Sequence, residues 1–183
     1  MDETIQEHFG NIHVTTNRPV ETAAYYALME ATEKQVDWTY DVWDELVADL
    51  TDKDNHIRSI ASQLLANLAA YSDPEQRILR DFEKLLNVTR DSRGVTARHS
   101  LQAIWKVGLA GDAQRKILLE GLTRRFGEAG THKTGTLTRY DIAQGLRNLY
   151  DTTHDTEIQE LALRLIETEP ELKYRKKYAT VWK

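Results

Sequence analysis

The 183-residue chain has no cysteine, which removes disulfides, thiol nucleophiles, iron–sulfur sites and cysteine-ligated zinc modules together. A cysteine-free chain fits a reducing compartment. No apolar run approaches the roughly 18 residues that read as a membrane-spanning helix. The opening Met1-Asp2-Glu3-Thr4-Ile5-Gln6-Glu7 is acidic and lacks the apolar core of a secretory signal, so the expected location is the cytoplasm. Prolines number 3 and glycines 9. Val and Ile nowhere cluster with period two, so strands have little to form from.

Catalytic motifs are missing too. The histidines His8, His13, His56, His99, His132 and His154 include no i, i+4 pair and no His-Glu-x-x-His run, so no metal is expected. No serine sits in a nucleophile-elbow motif. The run Gly127 to Thr134 approaches phosphate-loop spacing, but His132 stands where a second glycine is needed and a helix precedes it. The expectation is a non-enzyme with no catalytic residue and no cofactor.

What is abundant is Leu, Ala, Glu, Arg and Lys, all good helix formers. The expected class is all-α. Charge is uneven within a net of −5: residues 1–52 hold twelve acids and two bases, whereas 77–147 hold fourteen bases and seven acids. Such asymmetry is read as a solvated surface or as an invitation to an acidic partner or nucleic acid.

A repeat then organises the chain. Arg58, Arg98 and Arg139 stand 40 and 41 residues apart, each followed three positions on by an apolar residue: Ala61, Leu101 and Ile142. From there run stripes with i, i+3, i+4, i+7 spacing: Ile57, Ile60, Ala61, Leu64, Leu68; Leu101, Ile104, Trp105, Gly108; Ile142, Leu146, Leu149, Tyr150. The segment from Asp73 to Leu79 recurs from Asp112 to Leu118, and a weaker copy opens at Asp155. Asp73 and Asp112 read as N-caps, with Pro74 at a first helical position. First helices are expected at about 38–51, 74–88, 112–127 and 155–168, and second helices at about 56–71, 94–109 and 137–150. A leading helix at about 20–35 and a closing helix at about 171–182 flank them.

This pattern resembles the HEAT-repeat, armadillo-like α-solenoid family, and within it a small bacterial-type protein. The resemblance covers roughly residues 38–168. It implies a right-handed α–α superhelix of about four helix pairs with a leading and a closing helix. The domain would span 1–183: an N-terminal segment 1–18, either flexible or ordered, a leading helix in 19–36, repeats over 37–168 and a basic-aromatic capping tail at 169–183. The family's turn acid and helix-start arginine match Asp52 with Arg58 and Asp91 with Arg98. The third turn, Thr131 to Thr136, has no acid before Arg139. These five residues read as turn-stabilising structure.

In such arrays the second helices line the concave face. Counting away from the stripe places Ser59, Gln63 and Asn67 there, then His99, Gln102 and Lys106, then Tyr140, Gln144 and Arg147. The last six are the candidate binding residues. Trp43 and Trp105 have core spacing, and Tyr174, Tyr178, Val181 and Trp182 share a face of the closing helix. The expected function is a non-catalytic scaffold that binds a protein or peptide along this face. The alternative is nucleic-acid binding, related in architecture to alkylpurine DNA glycosylases, with a stripe of Arg98, Lys106, Arg139 and Arg147. Head-to-tail self-assembly of acidic on basic segments is a third reading. No membrane contact is expected.

Overall fold

The computed structural model of the chain describes residues 1–130 and 134–183, and among these it is all-helical, without a strand. The elements are α1 (Glu3–Asn11), α2 (Arg18–Thr32), α3 (Thr39–Asp49), α4 (Asn55–Tyr71), α5 (Ile78–Val88) and α6 (Gly94–Ile104). A 3₁₀ turn (Trp105–Leu109) continues α6. Then come α7 (Asp112–Ala129), α8 (Gly135–Thr153), α9 (Thr156–Glu167) and α10 (Leu172–Ala179), closed by a 3₁₀ turn (Thr180–Trp182). Half of the turn expected at 131–136, residues 131–133 with His132, lies outside the described residues.

Several helices begin where a side-chain oxygen meets an orphan amide. Asp54 accepts from the His56 N–H and Asp155 from the Glu157 N–H. Two expected caps work differently. Asp73 does accept from Arg77 and Ile78 amides at 2.9 Å, but α5 starts only at Ile78, so Pro74 lies in the preceding turn. Asp112 is itself the first residue of α7, and Gly111 occupies the cap.

Packing runs in two sets. α2, α4, α6 and α8 touch in sequence, as do α3, α5, α7 and α9, and each of α3, α5 and α7 also packs on the helix that follows it. α4 touches α2, α3, α5 and α6, which is why its buried residues extend all round it, from Ile57 through Ala69. Ala61, Ala66 and Ala69 let neighbours approach, while Leu64, Leu65 and Leu68 fill the spaces between. Trp43 is fully buried and donates its indole N–H to Asp81 at 3.1 Å. Burial would raise the Asp81 carboxyl, but hydrogen bonds from Arg80, Trp43 and Lys84 outweigh it and hold the group at about 2.

The repeated arginines reach forward, across units. Arg58 makes a two-pronged bond to Asp91 of the next turn, at 2.5 and 3.0 Å, and donates to the carbonyls of Asp52 and Lys53. Arg98 pairs with Asp141 on α8 at 2.7 and 2.9 Å, and so leaves Asp91 to Arg58. Arg139 donates to Glu169 at 2.6 Å and to the Phe126 carbonyl at 3.0 Å. The Asp52 carboxylate instead accepts from the amide of Asp54. A guanidinium at the start of a second helix is long enough to reach the next pair, and its fork matches a carboxylate there.

The first residues form α1 and pack into the core. Phe9 and Ile12 are buried, and Phe9 meets Trp38 edge-on at 5.7 Å. His13 ties this end down through Nδ1 to the Phe9 carbonyl and Nε2 to Asp49, both at 2.9 Å. At the other end Tyr178 is fully buried and meets Phe126 edge-on at 6.2 Å.

Two outcomes are expected. Asp91→Ala strands the Arg58 charge and should cost about 2–4 kcal/mol in urea unfolding. Arg124→Ala, which removes an equally short but exposed bond to Glu83, should cost under about 1 kcal/mol. Equal losses would show that the forward pair does not stabilise through burial. The hydrogen bond to Asp49 raises the His13 imidazole from 6.5 to about 9 against the opposing effect of burial. A raised folded value means that the bond stabilises fully below about pH 6.5 and is lost as pH rises through about 9. The urea midpoint should therefore fall over that window in the native chain and stay flatter in His13→Gln; parallel curves would refute the link.

Candidate functional site

The six candidate residues fall on α6, on the 3₁₀ turn that continues it and on α8. His99 and Gln102 are exposed on α6, Tyr140, Gln144 and Arg147 are half-buried on α8, and Lys106 is half-buried in the 3₁₀ turn after α6. The first unit departs from expectation. Ser59 and Asn67 are buried, because α2 packs against α4. Tyr25 of α2 donates its hydroxyl to Gln63 at 2.9 Å, and Asn67 donates to the Thr32 hydroxyl at 3.0 Å. The leading helix thus covers what the spacing alone would leave open.

The candidate residues contact partners outside their own set. Lys106 donates to Asn67 Oδ1 at 2.7 Å and lies 4.0 Å from Glu33; burial lowers its ammonium pKa against the opposing pull of that carboxylate. Gln144 donates to Asn148, and the Lys177 ammonium sits 5.3 Å from the Tyr140 ring. Arg147 donates to Asp151 at 2.7 Å and lies 5.6 Å over the Trp182 ring. Trp182 in turn donates its indole N–H to the Ala143 carbonyl at 3.2 Å. So the four bases of the expected stripe, Arg98, Lys106, Arg139 and Arg147, all hold acceptors within the fold.

His99 also lines a cavity, about 120 Å³, between α2, α4 and α6. Glu21, Tyr25, His56, Ser59 and Gln63 share the lining, with exposed Thr22 beside them. Glu21 is 2% exposed. Its Oε2 accepts from Arg18 at 2.5 Å and lies 3.9 Å from His56 Nδ1. Its Oε1 is buried without a hydrogen-bond partner. Ser59 Oγ and His99 Nδ1 share a hydrogen bond at 3.0 Å, and Gln63 donates to the Ser59 carbonyl at 3.1 Å. Burial lowers the His99 pKa, and the neighbouring Arg98 charge acts in the same direction.

A serine bonded to a histidine is half of a nucleophile–base pair. Here no carboxylate orients the ring among the described contacts, and Gln63 holds the serine into the same polar network. Among the described residues no group of three or more His, Asp or Glu side chains could hold a metal ion. Sequence reasoning missed Glu21, Tyr25 and His56. The available signal was Glu21 itself, which shares the buried stripe of α2 with Ala24, Leu28 and Thr32.

No family model matches the chain, and no curated protein matches it. Among solved structures it is similar to the crystal structure of an engineered protein from the Northeast Structural Genomics Consortium. That likeness has a TM-score of 0.52 and 16% identity, covering 100% of this chain and 88% of the other. At such identity it speaks to the helical fold alone. No helix among the described residues is long and apolar enough to cross a membrane.

Lys106→Met tests the inward contact. Losing it leaves a buried amide oxygen unmet on Asn67 and should cost about 1–2 kcal/mol in urea unfolding. A solvent-facing lysine would cost nearly nothing, and that result would return Lys106 to the open face.

Proposed function

We propose that the chain is a non-catalytic scaffold of the HEAT-repeat kind, a short right-handed α–α superhelix. It binds a peptide or protein partner along the face formed by α6 and α8 and flanked by α2 and Trp182. One observation supports this reading over nucleic-acid binding: every base in the expected stripe is already matched inside the fold. A phosphate-binding surface needs cations free to displace counterions. What remains accessible is neutral and hydrogen-bonding: His99, Gln102, Tyr140 and Gln144. Such side chains suit a peptide backbone, and a preformed helical framework lowers the ordering cost of binding it.

The test is selection of random displayed dodecapeptides on the intact chain, followed by anisotropy titration of the winners. Binding at or below about 100 µM that weakens at least about tenfold in a Gln102→Arg, Gln144→Arg double variant is expected. Winners indifferent to both changes, or none at all, would sink the reading. Labelled duplex and single-stranded DNA serve as the parallel arm; micromolar, salt-sensitive binding there would replace it with the nucleic-acid alternative.

A further inference from the structure

We infer that a second copy of this chain docks head to tail, the exposed face of α2 in one copy against the exposed face of α10 in the next. This contact is separate from the α6–α8 face and does not depend on the peptide-binding reading. In the series α2, α4, α6, α8, α10, each inner helix packs on the member before it and on the member after it. α2 and α10 stand at the two ends of that series. Helical spacing puts Ala23, Tyr26, Glu30 and Glu33 on one arc of α2 and its C-cap, and all four are exposed. The same spacing puts Leu172, Lys173, Lys176 and Lys177 on one arc of α10, all exposed as well. Each arc holds a large apolar side chain in water: Tyr26 is 66% exposed and Leu172 59%.

Charge decides which face meets which. The α2 arc carries two glutamates and no base, and the α10 arc carries three lysines and no acid. Among the described residues Glu30, Lys173, Lys176 and Lys177 have no ion-pair partner, and Glu33 only approaches Lys106, at 4.0 Å. The bases between the two ends differ: Arg58, Arg98 and Arg139 are spent on carboxylates inside the fold. The wider segments carry the same signs. Residues 1–52 hold twelve acids and two bases, and residues 172–183 hold five bases and no acid. A two-fold contact would set glutamates on glutamates or lysines on lysines, which is unfavourable. The α2 face of one copy on the α10 face of another sets opposite signs together and lets Tyr26 and Leu172 leave water between them. Each copy then keeps its other face free, so the contact is heterologous and can propagate. α10 has 8 residues, so the contact is small, with a Kd on the order of 100 µM.

Sedimentation equilibrium of the intact chain is the test, from about 10 µM to about 1 mM protein, in about 20 mM and about 500 mM NaCl. At low salt the weight-average mass should rise continuously with concentration, and high salt should weaken the association about tenfold or more. Two double variants, Ala23→Lys with Glu30→Lys and Lys173→Glu with Lys176→Glu, should each weaken it about tenfold or more. All four positions are exposed, so both variants should fold. An equimolar mixture of the two should associate again, because the reversed faces fit each other and the native faces still do. A chain that stays monomeric at low salt overturns the proposal. So does association that ignores both variants, a mixture that stays monomeric, or a mass that levels off at a dimer. Heparin binding that needs Lys173 and Lys176 in a chain that stays monomeric would also overturn it, in favour of a foreign polyanion on α10.

Discussion

A charge carried from one helix and set on an acid 30 to 43 residues further along is the constraint on which the packing depends. Apolar faces press together without preference for register, since the hydrophobic effect has no direction. Arg58 on Asp91, Arg98 on Asp141 and Arg139 on Glu169 do have one. Each carboxylate is almost completely buried, so a slip of one helix along its neighbour would leave an acid desolvated and unmatched. The Asp91 and Glu169 carboxyls feel burial as an upward push, and the arginine bonds more than reverse it. Helix α4 then sits at the crossing of four neighbours, and its alternation of alanine and leucine follows from that position.

Much of the helical layout could be read from periodicity. The stripes from Ile57, Leu101 and Ile142 fall on α4, α6 and α8, and the segment expected at 155–168 falls on α9. Periodicity reports which face of a helix is buried, not what buries it. The arginine spacing was therefore visible while its partners were not: the grammar pairs Arg98 with its own turn, but Asp91 already belongs to Arg58. The helix at Glu3–Asn11 was hidden because its anchorage is two apolar side chains, Phe9 and Ile12, and a histidine bond to a residue 36 positions away. Composition alone makes such a segment look solvated.

The face was legible only in part for the same reason. Helical counting gives outward positions relative to one helix, and Ser59 and Asn67 do point away from the α4 stripe. The leading helix occupies that side, so their hydroxyl and amide serve internal bonds. Lys106 follows Asn67 inward. At the far end Trp182 lies against α8 in a comparable way, held by the Ala143 carbonyl. What the two ends leave uncovered is a short stretch on α6 and α8 that meets the Glu21 cavity at His99. Glu21 itself was overlooked because a single carboxylate in a stripe of small and apolar residues reads as an irregularity, although a buried acid has to be explained by what faces it.

The contacts between elements also have a consequence for how the chain is made. The α-helices mostly touch the ones beside them in sequence or one further along, and the forward arginines reach partners 30 to 43 residues ahead. Among the described residues no extensive helix contact joins the opposite ends of the chain. As the polypeptide leaves the ribosome, each pair can close on the pair just completed, with little loop entropy to overcome at any step. Each of these three arginines emerges before its acid, so a growing chain exposes an unmatched cation until the acid arrives and neutralises it.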